Sequence, residues 1–268
     1  MNRDQRHRLI QRILWSPLGF GFLRWSQRFG RRWNYVVLNR SLHSETNGEY
    51  WLISQLSAKP LVYDVGFNTG DFSREVLRLR PEARVVGFDP ARAMQRLFVQ
   101  NFGSDRRLKF ESIALADKSG EAQFYDSDSM SSSLAPDRSD QISAYTVPVK
   151  TLDDYVADSS ERIELLKIDA EGFDLNVLEG ASRILKEQKI DLFLFEYADG
   201  WLNNRRLLRD AARYLDGKPY TLHRLFNGFI SPFAYDFRHE RYDLGNMFIG
   251  ISHERARRMP LPIRQFPD

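Results

Sequence analysis

The chain reads as an α/β protein: a mostly parallel central sheet, helices on both faces, an antiparallel hairpin at the C-terminal edge, and a helical extension at the N-terminus. Three observations predict this. Short apolar runs alternate with amphipathic stretches from about residue 60 to 215, the pattern of strands joined by helices in a parallel sheet. The run Leu61-Val-Tyr-Asp-Val65 leads into a turn bracketed by glycines, Gly66-Phe-Asn-Thr-Gly70, and then into a helical pattern. Near the C-terminus, Asn227-Gly228 separates two strand-like runs, a strong hairpin signal.

At 268 residues the chain can hold one α/β domain with extensions around a substantial core. Its 42% hydrophobic and 13% aromatic content excludes a disordered chain. There is no Cys, which removes disulfides, zinc-thiolate sites and thiol nucleophiles from consideration and fits a reducing, cytoplasmic setting. No window approaches about 18 consecutive apolar residues, so no membrane-spanning helix is expected. The net charge of +3 is uneven, because residues 1 to 40 alone hold nine Arg and one Asp. The remainder is net acidic, and the basic character belongs to the N-terminal arm.

That arm mixes Arg with Leu9, Ile13, Trp15, Phe22, Trp25 and Trp33, and Pro17 and Gly19 break it into two short amphipathic pieces. It is not a secretory signal, since Arg interrupts its apolar runs. Three uses stay open: packing on the domain or on a second subunit of an oligomer, peripheral contact with an anionic membrane, and nucleic acid, which is the least favoured. The organisation expected is a basic, aromatic-rich helical extension over 1–58, a cofactor-binding domain over 59–252 and a tail over 253–268.

Residues 44–58 look helical and end before Pro60. After the first strand and turn, a helix over 71–80 is stopped by Pro81, and a strand over 84–88 leads to Asp89-Pro90 and a helix over 91–101. Phe110–Ala116 reads as a third strand, 117–120 as a turn, and 121–125 as its hairpin partner. Residues 126–140, rich in Ser and Asp, read as a surface loop or lid. A strand over 145–149 follows, and Thr151 is the expected N-cap of a short helix. Ile163–Asp169 and Ile190–Glu196 are buried strands by apolar density, separated by an amphipathic helix over 173–185. A helix over 204–215 and strands over 219–226, 229–235 and 246–251 complete the pattern.

The glycine turn at a helix N-terminus predicts a nucleoside cofactor, because unpaired N–H groups face the ligand and glycine lets the backbone approach it. Asp89 lies 19 residues past Gly70, near the ~20-residue offset at which a carboxylate meets a ribose diol. Dinucleotide folds use G-x-G-x-x-G, but here position 68 is Asn, and Asp71 at the helix start disfavours a pyrophosphate. A cationic, phosphate-free ligand suits these residues, and S-adenosylmethionine is one. Asp64 is then expected to take the ammonium and Asp89 the ribose hydroxyls. Ile113 and Ala114, at the third strand, are expected at the adenine. Gly66, Phe67, Asn68, Gly70, Asp71, Phe72 and Pro90 complete the expected cofactor site.

Five blocks in order, Asp64–Phe72, Gly87–Pro90, Ala114–Asp117, Val149–Tyr155 and Lys167–Ala181, resemble the FkbM-type S-adenosylmethionine-dependent methyltransferases. The likeness spans about residues 60–200, and the block Lys167-Ile-Asp-Ala-Glu-Gly-Phe-Asp-Leu-Asn-Val-Leu-Glu-Gly-Ala181 is its most specific part. Two positions depart from the family pattern, Phe67 in place of Ala and Asp89 in place of Glu. The resemblance implies a Rossmann-like class I methyltransferase fold and methyl transfer to a hydroxyl of a small molecule, sugar, or glycan- or lipid-linked acceptor.

Ligands of open α/β sheets lie beyond the carboxyl ends of the strands, which selects Asp169, Glu171 and Glu196. Asp169, which also falls among the expected cofactor contacts, and Glu171 are the candidate catalytic residues, either one serving as general base. Use of these carboxylates for Mg²⁺ is the less favoured alternative. Glu196, His223 and His239 read better as structural groups. The rival functions are an NAD(P)-dependent Rossmann oxidoreductase, disfavoured by Asn68, and an RNA methyltransferase using the basic arm.

Overall fold

The computed structural model describes residues 44–126, 143–240 and 246–265. The expected basic arm and most of the Ser-rich 126–140 loop lie outside the described residues.

A short helix α1 (Glu49–Ser54) precedes the sheet. Then come β1 (Leu61–Val65), α2 (Asp71–Leu79), β2 (Arg84–Phe88), α3 (Arg92–Phe102) and β3 (Leu108–Glu111). β4 (Ala114–Leu115), β5 (Gly120–Asp126) and β6 (Ser143–Lys150) follow, then α4 (Leu152–Tyr155), β7 (Ile163–Ile168), α5 (Asp174–Glu179), α6 (Ser182–Lys186) and β8 (Ile190–Glu196). The chain ends with α7 (Gly200–Asn203), α8 (Leu208–Leu215), β9 (Tyr220–Phe226), β10 (Phe229–Pro232), β11 (Met247–Ser252) and α9 (His253–Arg258).

Among the described residues the main sheet has eight strands in the order β10-β9-β11-β8-β7-β1-β2-β3. β8, β7, β1, β2 and β3 run parallel, while β11 is antiparallel to both β8 and β9. The β9–β10 hairpin around Asn227-Gly228 forms the antiparallel edge, as the sequence predicts. The order reverses at β1, whose neighbours are β2 and β7. A crevice opens beyond the strand carboxyl ends at such a reversal, and ligands bind there.

Both faces of the sheet are covered. Leu61, Tyr63, Val65, Leu166, Ile168, Phe193 and Phe195 pack with Leu152 of α4, Leu175 and Leu178 of α5, Ile184 of α6 and Leu208 of α8. On the other face, Val62, Val85, Leu165, Leu192, Leu194 and Ile249 pack with Leu52 of α1, Phe72 and Val76 of α2 and Phe102 of α3. Two-sided burial explains why the central strands are almost continuously apolar.

Five element expectations are corrected. The third strand is split: β3 stays in the main sheet, whereas Ala114–Leu115 joins a three-stranded sheet ordered β4-β6-β5. β5 accordingly pairs antiparallel with β6, not with the preceding strand. The helix expected over 44–58 is confined to α1, because Gly48 has φ +104° and a Cβ there would stand 2.8 Å from the Phe226 carbonyl oxygen. The helix expected over 173–185 breaks at Gly180-Ala181. A Cβ on Gly180 would meet the Ala116 carbonyl oxygen at 2.1 Å, and Asp153 accepts from the Arg183 and Ile184 N–H groups at 2.7 and 3.1 Å, starting a new helix. The helix expected over 204–215 begins only at Leu208, after α7 and Arg205 at φ 56°. Glu240 accepts from its first two N–H groups at 3.2 and 3.1 Å. Thr151 is the N-cap of α4, accepting from the Asp154 N–H at 3.0 Å.

Candidate active site

The cleft is assembled from the ends of β1, β2, β7 and β8. The turn after β1 is held by the Phe88 carbonyl, which accepts from the N–H groups of Gly66 and Phe67 at 3.0 and 3.1 Å. Gly66 has φ +77°, and a Cβ on it would lie 1.9 Å from the Asp169 carbonyl oxygen. The Asp169 N–H in turn donates to the Val65 carbonyl at 2.9 Å. The glycine therefore lets the two strand ends touch, and it fixes Asp169 beside the turn. Asn68 adopts φ 49°, a conformation Asn tolerates better than most residues.

Asp89 sits at the end of β2, buried, and both oxygens accept backbone N–H groups. Oδ2 takes Asn68 and Oδ1 takes Ala91, each at 2.9 Å. An ionised carboxylate has about four acceptor positions, so a ribose diol can share it. Pro90 is half-buried beside it.

Phe67 presents no open ring face to a ligand. It is 3% exposed and meets Phe98, Phe102 and Phe110 edge-on at 6.0, 5.7 and 5.3 Å between centroids. A Cβ on Gly87 would be 2.3 Å from its ring, and one on Gly70 2.5 Å. As an expected cofactor contact Phe67 is thereby corrected to its backbone alone, since the ring is taken up by its aromatic neighbours. Glycine at 70 and 87 makes room for a ring where the family pattern has a methyl group.

Asp64 is also corrected. It is 1% exposed, so its carboxylate is not open to an ammonium in the cleft. Oδ2 accepts from Ser73 Oγ at 2.7 Å, and Oδ1 lies 3.5 Å from Lys167 Nζ without a hydrogen bond. Burial pushes Asp64 up to about 6, against the pull of Lys167 and Ser73.

The Lys167–Gly172 segment supplies the carboxylates that do face the cleft. The Asp169 side chain is 47% exposed, and Oδ2 accepts from Lys167 Nζ at 3.3 Å. Glu171 is exposed with φ 50°. Partial desolvation in the cleft, with the negative charges of Asp169, Glu196 and Asp199 around it, pushes Glu171 up to about 7. Behind it, Gly172 approaches Gly200 so closely that a Cβ would lie 2.1 Å from the Gly200 carbonyl oxygen. A chain of amides fixes this turn from below: Asn204 donates to the Gly172 carbonyl at 3.2 Å and to Asn176 Oδ1 at 2.6 Å, and Asn176 donates to Asp117 at 2.8 Å. Asp174 is buried, accepts from the Gly172 N–H at 3.2 Å, and is held well above the usual carboxylate range by burial and by Asp169.

The other expected residues divide. Asp71 is exposed at the start of α2 and pairs with Arg74. Phe72 is buried, with Lys167 Nζ 5.4 Å from its ring centre. Ile113 is half-buried, while the Ala114 side chain is taken up in the core of the small sheet with Ala116, Val147 and Val149. Glu196 closes β8, its carbonyl accepting from Trp201 Nε1 at 2.9 Å. His223 is buried mid-strand, and burial lowers its pKa. His239 Nδ1 accepts from the Asp236 N–H at 2.9 Å within a tight turn. Neither histidine reads as a base. No group of three or more His, Cys, Asp or Glu able to hold a metal occurs among the described residues.

Lys167 was visible in the sequence only as part of a motif, and its structural role was missed. A charged residue inside an otherwise apolar strand must find partners, and that was the available signal.

A family model described as the methyltransferase FkbM domain matches residues 64–222. The chain belongs to the FkbM methyltransferase family. Among characterised relatives, the 2-O-methyltransferase NoeI of Sinorhizobium fredii (strain NBRC 101917 / NGR234) is 27% identical, the match covering 52% of this chain and 64% of that protein. The FkbM chain thus spans slightly under two thirds of that relative's length. Among solved structures, precorrin-6y C5,15-methyltransferase of Geobacter metallireducens GS-15 is similar at a TM-score of 0.44 and 9% identity, covering 80% of this chain and 92% of that one. A methyltransferase of Geobacter sulfurreducens is similar at 0.42 and 15%, covering 84% and 86%.

Proposed function

We propose that this FkbM-family chain is an S-adenosylmethionine-dependent O-methyltransferase acting on a hydroxyl of a small molecule, a sugar, or a glycan- or lipid-linked acceptor. The observation that carries the reading is the acidic set around the glycine turn, Asp89 on one side and Asp169 and Glu171 on the other. These residues suit the cofactor chemically. Carboxylates accept hydrogen bonds from a ribose diol and an ammonium, and they repel the phosphates of a nicotinamide dinucleotide. Asp71 stands where a phosphate would otherwise sit on the helix N-terminus. The Sinorhizobium relative, named a 2-O-methyltransferase, supports oxygen as the accepting atom.

When bound, S-adenosylmethionine supplies an electrophilic sulfonium methyl group. Asp89 would hold the ribose hydroxyls, and the Gly66–Gly70 turn would let the backbone approach the nucleoside. Asp169 would meet the amino-acid end, and Ile113 and Pro90 would flank the base. Glu171 would take the proton of the acceptor hydroxyl; a carboxyl near 7 is matched to that task, whereas one at its usual value is a weaker base. Much of the acceleration would come from alignment of the acceptor oxygen in the cleft. The test is methyl transfer from labelled S-adenosylmethionine to a panel of mono- and oligosaccharides, with RNA as the contrasting acceptor. Transfer to a sugar hydroxyl that disappears in Glu171→Gln supports the proposal, and transfer to RNA alone overturns it.

No helix among the described residues is long and apolar enough to cross a membrane. We propose subunit packing or peripheral membrane contact for residues 1–40 on their composition alone; comparing vesicle binding and oligomeric state with and without them would decide.

A further inference from the structure

Lys167 is a lysine in the interior of the sheet, its side chain 8% exposed. The β1–β7 register places it directly beside Asp64, on the face covered by α2. Its Nζ lies 3.5 Å from Asp64 Oδ1, 3.3 Å from Asp169 Oδ2 and 5.4 Å from the centre of the Phe72 ring. Burial opposes its charge, but Asp169, Asp64 and Glu49 together hold the ammonium above the usual lysine range. A buried ammonium persists only with such partners.

The two carboxylates differ in kind. Asp64 is sealed at 1% exposure and locked to Ser73, so it can serve only inside the protein. Asp169 opens to the cleft, its backbone is fixed by Val65 and by the close approach to Gly66, and Lys167 ties down one of its oxygens. The array runs from a closed anchor, through a buried cation, to a carboxylate at the cleft surface.

Resting on the proposed cofactor reading, we propose that Lys167 is a positioning residue: anchored on Asp64, it orients Asp169 so that the second Asp169 oxygen receives the ammonium of the cofactor's amino-acid end. The sealed Asp64 then acts at one remove, through Lys167. A carboxylate bridged between two cations is stronger and better oriented than one left to swing in water.

Two nucleosides separate this role from a merely structural one. S-adenosylhomocysteine carries the amino-acid end, and 5′-methylthioadenosine has the same nucleoside thioether without it. Lys167→Met alone would strand a buried Asp64 charge and endanger folding, so the informative variant is Asp64→Asn/Lys167→Met, which neutralises the pair together. By calorimetry this variant should lose about tenfold or more of its S-adenosylhomocysteine affinity, with 5′-methylthioadenosine affinity held within about threefold. Asp169→Asn, at an exposed site where Asp64 still faces Lys167, should show the same selective loss, so the Asp169 contact at the heart of the proposal is tested even if the double variant does not fold. Equal loss of both nucleosides, or loss of neither, overturns the proposal and leaves the cofactor reading standing. A wild-type chain that binds neither nucleoside overturns the cofactor reading and this inference with it.

Discussion

Gly66 and Asp169 stand so close that a Cβ on the glycine would lie 1.9 Å from the aspartate's carbonyl oxygen. This contact joins the ends of β1 and β7 and places Asp169 at the rim of the cleft. Gly66→Ala therefore has two costs. The left-handed backbone at φ +77° alone costs about 1–3 kcal/mol for a residue with a side chain, and the strand ends must separate. Thermal melts should show a lower Tm, and S-adenosylhomocysteine binding should be lost in the protein that still folds. Wild-type affinity in that variant would show that the contact does not shape the site.

Phe67 is expected to matter for stability and not for direct contact with the cofactor. Removing a buried aromatic ring costs about 3–5 kcal/mol, so Phe67→Ala should lower the midpoint of chemical denaturation strongly. Phe67→Leu should keep S-adenosylhomocysteine affinity within about threefold, because the ring lies among Phe98, Phe102 and Phe110. A large affinity loss without a stability loss would place the ring against the ligand instead.

The region from β1 to α2 was legible because local signals agree: an apolar strand, two glycines and an amphipathic helix. The β9–β10 hairpin was legible from Asn227-Gly228. The split of the third strand was not, because Phe110–Ala116 is mostly apolar and nothing local marks where the chain leaves one sheet for another. Pairing of Ala114 and Leu115 with Val149 and Lys150 decides it. In the site, the strand-end positions of Asp89, Asp169 and Glu171 were legible, because each follows an apolar run that forms a strand, β2 or β7. The burial of Asp64 was not, since a strand-terminal acid looks the same in sequence whether it faces a ligand or a lysine on the neighbouring strand.

Asp89 should be needed for both the turn and the ribose. Asp89→Ala removes the acceptor for the Asn68 and Ala91 N–H groups, and S-adenosylhomocysteine and 5′-methylthioadenosine should both weaken by about tenfold or more. Selective loss of only one of them would assign Asp89 to a different part of the ligand.

Glu171 sets a pH dependence of definite sign. As the general base it must be ionised, so turnover should rise with pH through about 7 and flatten above it. Stability should move the other way. A carboxyl raised from 4.5 to about 7 binds its proton more tightly in the folded chain, so folding gains on the acid side and loses that gain as pH rises through this window. Asp64, raised from 3.8 to about 6, adds a fall in the same direction at lower pH. Glu171→Gln should remove the 4.5-to-7 part of the fall in Tm and reduce turnover by about 10²- to 10⁴-fold. An unchanged pH–rate profile in that variant would clear Glu171 of the base role.

The most direct measurement is equilibrium binding to the purified wild-type chain at neutral pH, S-adenosylhomocysteine against NAD and NADP. Saturable one-to-one binding of S-adenosylhomocysteine, with none of either dinucleotide, is the predicted result. Binding of a dinucleotide with none of S-adenosylhomocysteine would contradict the account.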